Sequence, residues 1–120
     1  MPDLTPVFIE LRKIMAPYAA QLDVRRDDAS ELYLDTAHLQ KNKTPLFFGA
    51  VQAKSSYISV HLMPLYLAPD LLDSASPALL SKMHGKSCFH FKAVEPALFK
   101  ELAALIQAGY ARYKAQGFVP

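Results

Sequence analysis

The amino-acid sequence predicts a two-layer α+β domain, in which an antiparallel sheet of four or slightly more strands carries the N- and C-terminal helices on one face. Apolar residues recur at helical spacing at both ends of the chain, and segments of alternating polarity lie between them. At 120 residues, of which 52% are hydrophobic, the chain suits a single domain spanning residues 1–120. The predicted order is helix, three strands, a short helical connection, one strand and helix.

The first helix is predicted to begin with Thr5 as its N-cap and Pro6 at the first helical position. Pro17 removes a backbone hydrogen bond, so the helix is expected to be kinked or split there. The charged run 25–28 is expected to end it. The apolar residues of this segment form one stripe, which should face the core: Leu4, Val7, Phe8, Leu11, Ile14, Met15, Tyr18 and Leu22.

Three strands are predicted at 31–37, 45–53 and 56–63. Because the connections between them are short and polar, the strands should form an antiparallel meander rather than a parallel arrangement with helical crossovers. In the third strand the even positions are apolar, which assigns Ile58, Val60 and Leu62 to the core. The odd positions form a semi-polar face: Tyr57, Ser59, His61 and Met63.

The second half of the chain predicts two short helical turns, one strand and a long helix. The turns are expected at about 69–73 and 77–83, with Gly85 ending the second. In the strand 87–92, Phe89 and Phe91 should point inward. The last helix is predicted to begin at Glu95–Pro96 and to end near Gln116, before Gly117. Its apolar stripe comprises Leu98, Phe99, Leu102, Leu105, Ile106, Gly109, Tyr110 and Tyr113.

Composition narrows the classes of function. With 13 basic and 11 acidic residues and a net charge of +2, no strong field covers the surface, so we expect no nucleic-acid partner. The single cysteine, Cys88, cannot form an internal disulfide and fits a reducing compartment. Residues 1–6 lack a basic region followed by an apolar run, and no stretch is long and apolar enough to span a membrane. We therefore expect a cytoplasmic protein without a membrane partner.

Two strings of residues carry a resemblance to a known family. They are Tyr57-Ile58-Ser59-Val60-His61-Leu62-Met63-Pro64-Leu65-Tyr66 and Met83-His84-Gly85-Lys86-Ser87-Cys88-Phe89-His90-Phe91. Together with the order of elements, they resemble the YdhG-like family of small bacterial domains of unknown function. The resemblance runs from Leu4 to Tyr113 and implies an antiparallel sheet covered by N- and C-terminal helices.

The YdhG-like family distantly resembles the frataxins, and some of its members have been considered iron chaperones. Frataxins carry an acidic ridge on the first helix and first strand. Here the body of the first helix offers only Glu10, beside Arg12 and Lys13. The iron role is therefore not transferred to this chain.

Gly85-Lys86-Ser87 ends like a phosphate-binding loop. The full pattern needs a glycine at position 80, where this chain has Leu80, and it joins a strand to a helix rather than a helix to a strand. We interpret the segment as a glycine helix stop followed by a strand.

Histidine and cysteine residues leave two further alternatives open. A sheet could bring His61, Cys88 and His90 onto one face, where imidazole and thiolate would suit zinc or copper. The alternative function is therefore a metal-handling protein of frataxin-like type, for iron or zinc. Alternatively, a neighbouring histidine could activate Cys88 as the nucleophile of a small enzyme. No recognised ligand spacing or orienting third group supports either role, so the sequence predicts no metal ligand, no cofactor and no catalytic residue.

Charge segregation favours a binding function. Residues 1–35 carry a net charge of −3, residues 36–94 carry +4 and residues 95–120 carry +1. The basic middle also holds every histidine, which suits a small anionic ligand on the sheet face that the helices leave free. Lysines in turns could instead serve only solubility. The predicted ligand-binding residues are Tyr57, Ser59, His61, Lys86, Cys88, His90 and Lys92.

A protein partner is the other interpretation of this face. Aromatic and methionine side chains are enriched at the centres of interfaces, and a homodimer would shield them. Alternatively they pack beneath the 64–83 connection. The residues concerned are Phe47, Tyr57, Met63, Leu65, Tyr66 and Leu67. The leading hypothesis is a non-enzymatic module, expected to be a homodimer, whose semi-polar sheet face and 82–92 segment bind a partner or a small anionic ligand.

Overall fold

The computed structural model describes residues 3–119 and confirms the α+β class. Five antiparallel strands form one sheet in the order β1-β2-β3-β4-β5. The strands are β1 (Asp23–Asp27), β2 (Glu31–Leu39), β3 (Pro45–Ala53), β4 (Ile58–Leu62) and β5 (Cys88–Phe91). The α-helices are α1 (Thr5–Met15), α2 (Met63–Leu67), α3 (Pro77–Leu80) and α4 (Pro96–Ala115). Two 3-10 helices span Ala16–Gln21 and Pro69–Ser74.

The start of α1 differs from the prediction, whereas the break at Pro17 is confirmed. Leu4, not Thr5, is the N-cap, and it makes no side-chain cap. The backbone N–H of Thr5 instead donates to Asp3 Oδ1 at 3.0 Å, so a carboxylate two residues earlier satisfies an amide at the helix start. α1 ends at Met15, and the chain continues as a 3-10 helix, because Pro17 has no N–H to continue the α-helical ladder.

Strand β1 corrects the prediction that the charged run 25–28 only ends the first helix. All five of its residues are exposed, so the run lacks the alternation that marks a strand. It pairs with β2 through the backbone and through two ion pairs, Arg25–Asp35 at 3.1 Å and Arg26–Glu31 at 3.3 Å. The charged side chains therefore stabilise an edge strand and discourage further pairing there.

The core lies between one face of the sheet and the two terminal helices. The even positions of β4 and both phenylalanines of β5 are fully buried, as predicted. α1 contacts β3, β4 and α4. Phe99 of α4 meets Phe91 edge to face at 5.0 Å, and the Tyr113 hydroxyl donates to the Phe47 carbonyl at 2.8 Å. Both helices thus cover the same face, and the opposite face of the sheet, the outer face, is left without them.

The segment between β4 and β5 is more structured than predicted. The predicted third strand stops at Leu62 because Pro64 stands in the first turn of α2, which the alternation did not reveal. The 3-10 helix Pro69–Ser74 matches the first predicted turn, but α3 ends at Leu80, so Gly85 does not terminate it. Gly85 has a φ of +82° and lies in the turn of a hairpin.

That hairpin places residues 82–84 against β5. His84 N–H donates to the Cys88 carbonyl and His90 N–H donates to the Lys82 carbonyl, both at 2.9 Å, with a bridge between Met83 and Phe89. Because side chains alternate along an extended segment, Lys82 and His84 point to one side and Met83 to the other. The hairpin therefore separates two cavities, which are described below.

At the C-terminus, α4 confirms the predicted helix: it ends at Ala115 with Gln116 as the C-cap, and Gly117 follows at a φ of +80°. Within residues 3–119 we find no helix whose length and apolar character would let it cross a membrane.

Candidate functional site

The outer face of the sheet carries both histidines predicted for it. The register pairs Ala50 with His61 and His61 with Cys88, while Ser59 pairs with His90. Because residues paired across neighbouring antiparallel strands share a face, His61, Cys88 and His90 all lie opposite the core positions. These three side chains therefore lie on the face predicted for them from the sequence.

The seven predicted binding residues nevertheless do not form one surface. Ser59 is buried at 6% exposure, and the half-buried His61 packs edge to face against Phe47 at 4.9 Å. Lys86 belongs to a different cavity on the far side of the hairpin. The residues that meet are Tyr57, His90 and Lys92. The hairpin, which was not predicted, lies between the two cavities, so Lys86 is separated from Tyr57, His90 and Lys92.

Three rings stack at the centre of this site. The His90 ring lies 4.0 Å from the Tyr57 ring with an interplanar angle of 19°, and 4.0 Å from the His84 ring with an angle of 14°. Two rings at that separation cannot occupy the same face of a third ring, so His90 is sandwiched between Tyr57 and His84. A ligand can reach His90 only at its edge, where its ring nitrogens donate or accept hydrogen bonds.

The stack forms one wall of a cavity that we call the histidine cleft. Its volume is about 510 Å³, within the roughly 300–1,000 Å³ range of small-molecule sites. Lys82 lies 3.2 Å from the Glu95 carboxylate, and Lys92 is exposed. The lining residues are Ser56, Tyr57, Ser81, Lys82, His84, His90, Lys92, Ala93 and Glu95. The lining of the cleft thus includes two lysines, two histidines and three hydroxyl-bearing residues against one carboxylate residue.

The electrostatics of the cleft disfavour a proton on His90 while no anion is bound. Partial burial lowers the pKa of His90, and the positive charges of His84 and Lys54 lower that pKa further. A bound anion would oppose the two repulsive contributions. Protonation of His90 and anion binding are therefore expected to favour each other.

Cys88 lacks the environment of a nucleophile. Burial raises the pKa of its thiol, and the hydrogen bond from Ser87 and the charge of Lys54 only partly oppose this effect. Burial also lowers the pKa of the neighbouring His61. Both groups are therefore neutral near pH 7, whereas an activated cysteine requires a thiolate stabilised by a cationic neighbour.

The metal alternative finds little geometric support. In residues 3–119 no group of three or more histidine, cysteine, aspartate or glutamate side chains is arranged to hold an ion. His84 and His90 are close, but their nearly parallel rings direct the in-plane nitrogen lone pairs side by side rather than toward one point. The carboxylates of Asp27, Asp35 and Glu31 near β1 are paired with arginines.

Comparison with protein-family models, with curated proteins and with solved structures found no match for this chain. Membership of the YdhG-like family therefore stays a prediction from the two strings of residues.

The sequence interpretation missed His84 and Lys82 as site residues. The signal available was Gly85-Lys86-Ser87, interpreted as a helix stop. A three-residue hairpin loop with glycine would have paired positions 82–84 with 88–90 and placed His84 beside His90. The remaining lining residues come from separate loops, and only the assembled fold brings them together.

Proposed function

We propose that this protein is a non-enzymatic binding module that takes a small anion, such as a phosphate or carboxylate group, in the histidine cleft. The observation that carries the proposal is the stack of Tyr57, His90 and His84, which aligns two imidazole edges at a cavity also lined by Lys82 and Lys92. Imidazolium and ammonium groups donate charge-assisted hydrogen bonds to anions, which are the stronger kind.

The local charge balance supports an anion over a cation. Residues 75–93 contain no acidic residue, and Glu95 is the one carboxylate of the lining. Glu95 is already partnered by Lys82, which leaves Lys92 and the imidazole edges for a ligand. An anion can also compete with Glu95 for Lys82.

The proposal favours binding over catalysis because the cleft holds no nucleophile paired with a base. Cys88 is not among its lining residues, and its raised pKa leaves the thiol protonated. The proposal places the protein in the cytoplasm, where a single unpaired cysteine is ordinary.

Self-association is a second part of the proposal, and the outer face favours it. Phe47 stacks on Tyr33 at 4.6 Å and meets His61 at 4.9 Å, so three rings form a row across β2, β3 and β4. The ion pair of Arg25 with Asp35 lies beside this row. An apolar centre with a charged rim is the usual arrangement of a protein interface.

The anion site is tested by titration calorimetry with inorganic phosphate and with acetate at low salt. The variants are His90→Gln and Lys92→Gln, and the control is Lys41→Gln, which removes a lysine from the turn at the opposite end of β3. Removing a charge-assisted hydrogen bond should weaken binding about tenfold or more. We expect that loss for both cleft variants and none for the control. Equal affinities in all four proteins would remove the histidine cleft as the site.

A further inference from the structure

A second cavity lies across the hairpin from the histidine cleft, and Lys86 stands at its mouth. Its volume is about 530 Å³. We call it the Lys86 pocket, and its lining residues are Leu65, Tyr66, Pro69, Leu72, Met83, Gly85 and Lys86. Its size also falls in the roughly 300–1,000 Å³ range of ligand sites, and it shares no lining residue with the histidine cleft.

The walls of the Lys86 pocket are apolar. Leu65 is 1% exposed and forms its base within the core, while Leu72 and Met83 pack against the core from the sides. Tyr66 remains 53% exposed at the rim. A ligand with an apolar body would remove water from these surfaces and cover the Tyr66 ring, which is favourable in proportion to the apolar area buried.

The charge at the mouth is a single cation. Lys86 Nζ lies 5.8 Å from the centre of the Tyr66 ring, close enough for a cation–π contact that holds the ammonium at the rim. No carboxylate of the described chain lies within ion-pair distance of Lys86. Asp70 follows Pro69 on the same 3-10 helix, but its two oxygens accept from Arg112 at 2.6 and 3.1 Å.

From these features we infer that the Lys86 pocket binds an amphiphilic monoanion, with an apolar chain against Leu65, Leu72 and Met83 and a carboxylate on Lys86. Charge complementarity fixes the head group, and the apolar walls fix the body. The inference is independent of the anion proposed for the histidine cleft, because the two cavities use different lysines. It assigns Lys86, one of the predicted ligand-binding residues, to a site separate from the histidine cleft.

A second copy of the chain fits this cavity less well than a small molecule. A standard protein interface buries about 800 Å² on each partner around an apolar centre, whereas beside this pocket Tyr66 and Leu67 are the exposed large apolar residues. A concave site with one charge at its mouth is instead typical of small-ligand recognition.

The test is titration of the full chain with hexanoate, octanoate and decanoate, with decanol as the uncharged ligand of matched length. Each buried methylene is expected to raise affinity by about fourfold at most, so affinity should rise with chain length. Lys86→Gln should weaken decanoate binding about tenfold and leave decanol binding unchanged. Lys41→Gln, which removes a lysine that lines neither cavity, is the matched control and should bind decanoate like the wild type.

Two results would overturn this inference. One is wild-type protein that shows no saturable decanoate binding, or that binds decanoate no better than Lys86→Gln does. The other is a dimer that Tyr66→Ala dissociates, since a second copy would then occupy the pocket.

Phosphate titrations of the same variants distinguish the Lys86 pocket from the histidine cleft, because Lys86→Gln should retain phosphate affinity whether or not decanoate binds. Lys86 is exposed, so its substitution should change stability by no more than about 0.5 kcal/mol, and a melting curve confirms folding.

Discussion

In His90 a packing role is combined with the binding role that we propose for it. Its faces are covered by Tyr57 and His84, while its edge borders the histidine cleft. Sandwiching fixes the direction of the ring nitrogens without any hydrogen bond to the protein. The same packing, with the nearby charges of His84 and Lys54, lowers the pKa of His90. A bound anion would raise the pKa of His90 again, so anion binding and protonation of His90 are expected to favour each other.

The lowered histidine pKa values predict opposite effects of pH on stability and on binding. In the folded protein His61 and His90 bind a proton less readily than in the unfolded chain, whose histidine pKa is 6.5. The unfolded state therefore takes up more protons as pH falls through 6.5, so the free energy of unfolding should decrease. Over the same interval phosphate affinity should increase relative to that of His90→Gln, because the anion favours protonated His90, whereas the protonation of phosphate itself affects both proteins alike.

Urea unfolding and phosphate titration at about pH 7.5 and 5.5 measure both effects, since histidine is the side chain that ordinarily titrates in that interval. The carboxylates with lowered pKa values, such as Asp28 at about 2, lose their contribution only at more acidic pH. His61→Gln should reduce the pH dependence of stability while keeping that of binding, whereas His90→Gln should reduce both. If phosphate affinity changed with pH in the same way in the wild type and in His90→Gln, His90 would take no part in binding.

At the scale of elements, the sequence predicted the strands and helices that bury an apolar face in the core. β3, β4 and β5 alternate or are apolar throughout, and α4 has a continuous stripe, so their types and approximate bounds follow from periodicity. β1 was missed because all of its side chains are exposed, and α2 because it directly continues a strand. Elements stabilised by backbone pairing and ion pairs leave no apolar period in the sequence.

The hairpin 82–90 is the element that creates the site, and two glycines allow its contribution to be isolated. Gly85 and Gly117 have φ values of +82° and +80°, and an added Cβ would meet no atom within 4 Å at either position. Gly85→Ala and Gly117→Ala should therefore each lower stability by about 1 kcal/mol through backbone strain alone. Only Gly85 lies in the turn that positions His84, so only its substitution should weaken phosphate binding.

Chemical denaturation and phosphate calorimetry on both glycine variants check this expectation. Gly117→Ala serves as the control for a loss of stability without a change in the hairpin, since Gly117 follows α4. If the two variants lost phosphate affinity equally, reduced stability rather than the position of His84 would explain the loss.

At the scale of the whole molecule, the sequence predicted which residues lie on the outer face, but not that the hairpin would separate the region into two cavities. Alternation in β4 and β5 placed His61, Cys88 and His90 opposite the core, because a strand's two faces follow directly from residue parity. Whether such residues form one site depends on what packs around them. That depends on the loops 54–57 and 81–87, whose positions arise from contacts distant in sequence and which carry no periodic signal.

The outer face also determines how the whole molecule is expected to assemble. Tyr33, Phe47 and His61 form a row of rings, and Ala50, which pairs with Tyr33 and with His61 across the strands, is 1% exposed, so this part of the face is largely apolar. We expect two copies to associate through it, so Phe47→Lys should yield a monomer by placing a charge at the centre of the interface. Leu39→Lys is the matched control, because it changes a residue that is 60% exposed at the end of β2, outside the row.

Native mass spectrometry and light scattering report the subunit number, and circular dichroism confirms that both variants fold. A wild-type protein that is monomeric at every concentration tested would remove the homodimer, and it would leave the phosphate and decanoate experiments unaffected, since neither cavity includes a residue of the row.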